Sequence, residues 1–262
     1  MLTALGLRPS RRLGQSFLCD PFVADAEAAL LEVPPDAPIV EIGGGLGLLT
    51  AAVLRRHAGP LTVIERDLRL ARHLRRTFGE RIHVIAGDAL TVPLPPAAAV
   101  VGNLPYSVAT PILLRLFAAR VPRVVGLVQR EVADRLAGSP GSKTYGRLSL
   151  IARLYGTVQL YRVVPPEAFD PQPAVESRIV VHTARIGRLP VPSVEAFERL
   201  VRQLFNARRK QLGNLLPRVA GTKDAAGQLA ESSGWPSDWA KRRPEDLPPE
   251  AYFALAVAAA RA

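Results

Sequence analysis

The stretch Val40-Glu41-Ile42-Gly43-Gly44-Gly45-Leu46-Gly47-Leu48-Leu49-Thr50 decides how the rest of the chain reads. Its opening residues suit a short buried strand, its glycines supply a turn, and Leu46 to Arg56 has the spacing of a helix. A strand, a glycine turn and a helix let the backbone pass close to a nucleotide-like ligand. The same spacing serves nicotinamide cofactors and plain strand-to-helix connections, so the turn alone leaves the chemistry open.

On both sides of it the pattern is regular. Ile39 to Ile42, Leu61 to Ile64, Ile82 to Ile85, Ala97 to Val101 and Val124 to Val128 read as buried strands, with helical stretches such as Leu68 to Phe78 and Thr110 to Ala119 between them. Such alternation implies a doubly wound, mostly parallel α/β sheet. Val158 to Val164 and Ser177 to Thr183, separated by a proline-rich loop, suggest an antiparallel hairpin at one edge and bring the expected strands to seven. Upstream, Asp20 is the expected N-cap of a helix over Pro21 to Leu31 that Pro34 and Pro35 end. Downstream, Leu189 to Ser193 reads as a linker. Val194, Phe197, Leu200, Val201, Leu204 and Phe205 then recur at helical spacing, and two shorter helical patterns follow from Lys223. The expected division is therefore residues 1–189, of which 1–20 form a basic arm, and a small helical domain over residues 190–262.

A chain of 262 residues can bury a full core. No apolar run approaches the roughly 20 residues of a membrane span, and no secretory leader is read in the first twelve residues. The single cysteine, Cys19, fits a reducing compartment, so the chain is expected in the cytoplasm, with no membrane partner and as a monomer. The formal charge of +11 points to a polyanionic partner, nucleic acid first. The four histidines show no metal-ligand spacing, and no metal is expected.

In an open α/β sheet ligands bind beyond the carboxyl ends of the strands, where the strand order reverses. Polar residues stand at consecutive strand ends here. Glu65, 22 residues after Gly43, is placed to hold ribose hydroxyls, and Asp88 to accept from the exocyclic amine of an adenine. Asn103-Leu104-Pro105-Tyr106 is the discriminating motif. The asparagine oxygen and a backbone carbonyl of the prolyl turn accept both hydrogens of an exocyclic amino group, turning its lone pair toward an electrophile, while the tyrosine ring offers a stacking face. A dehydrogenase has no use for that arrangement, whereas an amino-methyltransferase does.

Taken in order, LGQSFL, VEIGGGLGLLT, VIERD, GDAL, GNLPYSVATPIL, VQREVADRL, YGRLSL and PPEAFDPQPAVES resemble the small-subunit ribosomal RNA adenine N6,N6-dimethyltransferases, the KsgA type. The likeness runs from Leu13 to about Val181, with a weaker continuation over residues 205–210. It implies a Rossmann-like methyltransferase sheet, S-adenosylmethionine as donor, and two adjacent adenines near the 3′ end of small-subunit rRNA, or its precursor, as acceptors. It assigns donor contacts to Gln15, Ser16, Leu18, Gly43, Gly45, Glu65, Asp88 with its neighbour Ala89, and Asn103. Ser16 departs from the asparagine or histidine usual at its position; a serine hydroxyl is shorter, which leaves a backbone contact there. The target adenine falls to Asn103, Leu104, Pro105 and Tyr106, with Phe169 as a second aromatic face; the other reading of Phe169 is a hydrophobic plug under its loop. Arg8, Arg11, Arg12, Arg208, Arg209 and Lys210 are the candidates for rRNA phosphates. The competing readings are a large-subunit rRNA adenine dimethyltransferase and a non-catalytic ribosome-assembly or RNA-binding factor.

Overall fold

The computed structural model describes residues 16–261. In chain order the elements are β1 (Phe17–Leu18), α1 (Pro21–Ala29), β2 (Ile39–Ile42), α2 (Leu48–Arg56), β3 (Leu61–Glu65), α3 (Leu68–Phe78), β4 (His83–Ala86), β5 (Ala99–Asn103), α4 (Ala109–Ala118), β6 (Arg123–Gln129), α5 (Arg130–Leu136), α6 (Arg147–Tyr155), β7 (Gly156–Val164), β8 (Phe169–Asp170), β9 (Ser177–Ala184), α7 (Val194–Phe205), α8 (Leu212–Ala220), α9 (Lys223–Ser232) and α10 (Pro249–Ala259). Two compact units result. Residues 16–133 together with 158–184 form the first, and residues 134–157 with 185–261 form the second.

The first unit is built on a seven-stranded sheet ordered β4-β3-β2-β5-β6-β9-β7. β2 pairs in parallel with both β3 and β5, β3 with β4 and β5 with β6, while β9 runs antiparallel to β6. The central strands IVEI and AVVGN are buried almost throughout, whereas edge strand β7 alternates between covered and open positions, as one-sided burial demands. From β2 the chain first winds outward through β3 and β4, then returns to place β5 on the other side. The order therefore reverses between β2 and β5, which puts Gly43 and Asn103 side by side at the switch point.

The strand ends are set by pairing more than by hydropathy. The fourth strand begins at Ala99 instead of Ala97 and runs through Asn103, because Gly102 and Asn103 continue the ladder with Gly126 and Leu127 of β6. The helix after the glycine turn starts at Leu48, since Gly47 occupies a left-handed N-cap at φ 88°. At α1 the expected cap is present: Asp20 Oδ1 accepts from Phe22 N–H at 2.8 Å. The proline-rich loop between β7 and β9 contributes β8, which pairs antiparallel with β1, matching Leu18 to Phe169.

The second unit corrects the expected boundary. Residues 134–157, including α6, group with the C-terminal helices, and α6 packs on α7 and α10. Tyr145, fully buried, donates to Leu247 O at 2.9 Å across a separation of 102 residues. α8 goes unread in the sequence because Gly213 and Pro217 interrupt its pattern, yet it buries Leu212, Leu215 and Leu216. Gly213 is required there, as a Cβ would come within 2.9 Å of Ala240 O.

Candidate active site

The glycines of the turn serve different ends. Gly43 and Gly45 adopt φ of +77° and +54°, conformations that side chains disfavour. Gly44 is excluded from bearing a side chain by packing instead: a Cβ would lie 2.6 Å from Val63 Cγ1 and 2.8 Å from Leu74 Cδ1. The turn thus lies directly on β3 and α3. Glu65, at the end of β3, braces it: Oε2 accepts from Gly45 N–H at 3.0 Å and Oε1 from Asp67 N–H at 2.9 Å. Burial raises the Glu65 carboxyl above its ordinary pKa, and these two amide donors oppose the rise.

Asp88 opens the turn after β4. Its Oδ1 accepts from Leu90 N–H at 2.9 Å, and Oδ2 lies 3.6 Å from the Arg66 guanidinium. Asn103 is the last residue of β5, and Leu104 N–H donates to Leu127 O at 3.1 Å, so the motif leaves the sheet in a fixed direction. Val108 N–H closes the prolyl turn on Pro105 O at 3.0 Å. Tyr106 is tethered at its far end, where its hydroxyl meets Ser177 Oγ at 2.6 Å; burial pushes the phenol pKa upward.

Two adjoining clefts open here. One, of about 110 Å³, is lined by Ser16, Leu18, Gly43, Gly45, Glu65 and Asn103 through Tyr106, among others. The second, of about 350 Å³, has Gly43, Glu65, Arg66, Asp88, Ala89 and Pro105 in its walls, together with Val108 and Ile112. Gly43, Glu65 and Pro105 belong to both, so the two clefts share a wall. The second alone is in the size range of small-molecule sites.

The structure therefore assembles Ser16, Leu18, Gly43, Gly45, Glu65, Asp88, Ala89, Asn103, Leu104, Pro105 and Tyr106 around these two adjoining clefts. Gln15, Arg8, Arg11 and Arg12 lie outside the described residues. Phe169 is a correction. It is 2% exposed, packs in the hydrophobic core with Leu18 and Val164, and lines neither cleft, so it is the plug and not an open aromatic face. Arg208 is a second correction: its Nε donates to Glu245, Nη1 to Lys143 O at 2.8 Å and Nη2 to Ser142 O at 3.0 Å. The guanidinium is a clasp inside the second unit. Arg209 and Lys210, on the turn after α7, are exposed.

Sequence reasoning passed over Arg66, Ile112 and Ser177. Ser177 joins Tyr106 across 71 residues, a pairing that no local pattern announces. It also passed over a buried acid pair. Glu27 of α1 and Glu41 of β2 are fully buried. Thr50 Oγ1 donates to Glu41 Oε2 at 2.7 Å, while Glu41 Oε1 and both Glu27 oxygens have no hydrogen-bond partner among the described residues. Burial, with repulsion from Glu41, pushes Glu27 up to about 8; burial pushes Glu41 up to about 7 against the pull of Thr50.

A raised folded-state pKa means that the folded chain keeps a proton the unfolded chain has released. Stability therefore falls as pH rises from the ordinary value of 4.5 toward 8, and the loss levels off above that. Glu27→Leu removes the Glu27 contribution. Its stabilisation over the unmodified chain is expected to be about 3 kcal/mol larger at pH 8 than at pH 5. Calorimetric melting at both pH values reads this; an equal change at the two would contradict it.

Among solved structures, a dimethyladenosine transferase from Plasmodium falciparum shares the fold, with a TM-score of 0.78 over 91% of this chain and 95% of that one at 22% identity. The 23S rRNA methyltransferase ErmE gives a TM-score of 0.73 over 91% of this chain and 97% of its own at 26% identity. With this sheet, the glycine turn and a polar cleft at the switch point, the molecule is a Rossmann-like methyltransferase. Residues 7–231 match the family described as ribosomal RNA adenine dimethylase. A probable ribosomal RNA small subunit methyltransferase A of Natronomonas pharaonis is 41% identical over 269 residues, 99% of this chain and 96% of its own. A ribosomal RNA small subunit methyltransferase A of Synechococcus sp. is 39% identical over 85% of this chain and 84% of its own. The chain belongs to the ribosomal RNA adenine dimethylase family.

Proposed function

We propose that the chain, as a cytoplasmic monomer, moves methyl groups from S-adenosylmethionine to the N6 amines of two adjacent adenines near the 3′ end of small-subunit rRNA, giving dimethyladenines during subunit biogenesis. The observation that carries this reading is that Asn103 and its prolyl turn lie directly beside the glycine turn, in a cleft that Glu65 also lines, with Asp88 in the adjoining cleft that shares Gly43, Glu65 and Pro105. The names of the relatives support the small subunit as substrate.

The donor fits the residues present. Gly43 and Gly45 keep the turn free of side chains, Glu65 retains lone pairs for ribose hydroxyls beside its two amide bonds, and Asp88 Oδ2 accepts from an adenine amine in exchange for its long contact with Arg66. Ser16 and Leu18 close the other side, with Gln15 preceding them. The donor supplies an electrophilic methyl group on a sulfonium that is its own leaving group. What remains for the protein is orientation. Asn103 Oδ1 and a turn carbonyl take the two N–H groups of the target amine, holding its lone pair out of the ring plane. Tyr106, pinned through Ser177, supplies the ring on which the base stacks. Offering purified small and large subunits separately, with labelled donor, tests the substrate: label is expected on the small subunit, and label confined to the large one would overturn the reading.

Arg209 and Lys210 are proposed phosphate contacts, with Arg8, Arg11 and Arg12 of the segment before the described residues. Reversing the charge at 209 and 210 is expected to weaken subunit binding and to flatten the dependence of log affinity on log salt by about two units. An unchanged slope would count against the assignment. Arg208→Ala should instead lower the melting temperature, since it undoes the clasp on Glu245 and residues 142–143.

A further inference from the structure

One side chain of α4 grips the turn that carries Asp88. Arg115, part-buried, donates through Nη1 to Ala89 O and through Nη2 to Val92 O at 2.5 Å. That turn otherwise closes largely on itself: Leu90 N–H donates to Asp88 Oδ1 at 2.9 Å, and Thr91 and Val92 N–H both donate to Asp88 O at 2.9 Å. Gly87 N–H, donating to Glu65 O at 2.9 Å, ties its start to the sheet. Arg115 stands about one helical turn beyond Ile112, which with Val108 lines the same cleft as Asp88 and Ala89. A guanidinium is a rigid planar fork, so two carbonyls bound to its two ends fix both the distance and the tilt of the turn relative to α4; an ammonium on a flexible stem cannot fix both.

We propose that Arg115 is a positioning residue for the donor's base, holding the Asp88–Ala89 edge at the spacing an adenine needs without touching the adenine itself. This rests on the reading that the cleft of about 350 Å³ takes the adenosine half of the donor. Nothing in the family resemblance assigns it, and its acceptors lie 26 and 23 residues earlier in the chain.

Two measurements on the full chain separate this inference from the reading beneath it. Amide hydrogen exchange of ligand-free Arg115→Met is expected to speed up across residues 88–92 and to stay unchanged across β2; unchanged exchange at 88–92 overturns the clamp whatever the ligand is. Calorimetric titration with S-adenosylmethionine and with adenosine is then expected to show both Kd values raised about tenfold in Arg115→Met, with kcat at saturating donor within about threefold and Arg115→Lys in between. If the unmodified chain binds neither compound, the donor reading fails and the inference with it. If it binds both while Arg115→Met and Arg115→Lys bind equally well, the inference alone fails. Should Arg115→Met melt below the assay temperature, Arg115→Lys carries the test, and a loss of kcat matching its loss of stability, with adenosine affinity unaltered, would mark a merely structural role.

Discussion

Asn103→Ala is expected to slow methyl transfer by about 10²–10³-fold while leaving donor affinity within about threefold. Alanine keeps β5 in register, because the ladder to Leu127 uses backbone groups, and Leu104 N–H still donates to Leu127 O. What is lost is one of the two acceptors that hold the target amine. The amine then relaxes toward conjugation with its ring, and its lone pair points away from the methyl group. Donor binding rests mainly on the glycine turn, Glu65 and Asp88, which the substitution does not touch. Single-turnover rates with small subunits, beside a donor titration, separate the two quantities. A rate near that of the unmodified chain with donor bound would remove Asn103 from the reaction.

Glu65→Gln is expected to act on the other side, lowering donor affinity by about 100-fold. Both carboxylate oxygens already accept amide protons, from Gly45 and from Asp67. An amide NH₂ in place of either oxygen faces an N–H with another N–H, in a position where Glu65 is only 7% exposed. The glycine turn loses its brace and the ribose hydroxyls lose an acceptor together. Transfer at saturating donor should suffer far less, since Asn103 and Tyr106 keep their partners. An unaltered Kd would show that the ribose is held elsewhere.

Both residues could be picked out in the sequence because each stands at the end of an apolar strand, where ligands of an open α/β sheet bind. Glu65, Asp88 and Asn103 announce themselves that way, and the glycines between Ile42 and Leu48 announce the turn. Phe169 did not, because an aromatic residue in a proline-rich loop looks the same whether it faces a ligand or the core. Its burial follows from pairing with Leu18, at the far end of the unit's sequence. Arg208 beside Arg209 and Lys210 reads as one cationic run, yet Glu245 recruits it as a clasp and leaves the other two exposed. The place of α6 was equally hidden, since helical spacing reports that a face is buried and not which body buries it. Glu27 and Glu41 illustrate the opposite limit: nothing in the sequence pairs an acid of α1 with one of β2, and only the packed structure shows both enclosed.

The proposed reaction is tested most directly by mapping its product. Small-subunit rRNA incubated with the chain and labelled S-adenosylmethionine, then digested and resolved by mass spectrometry, should carry the label as N6,N6-dimethyladenosine at two neighbouring positions near the 3′ end. Label on any other base, or none on small-subunit RNA from a chain that binds the donor, would contradict the assignment.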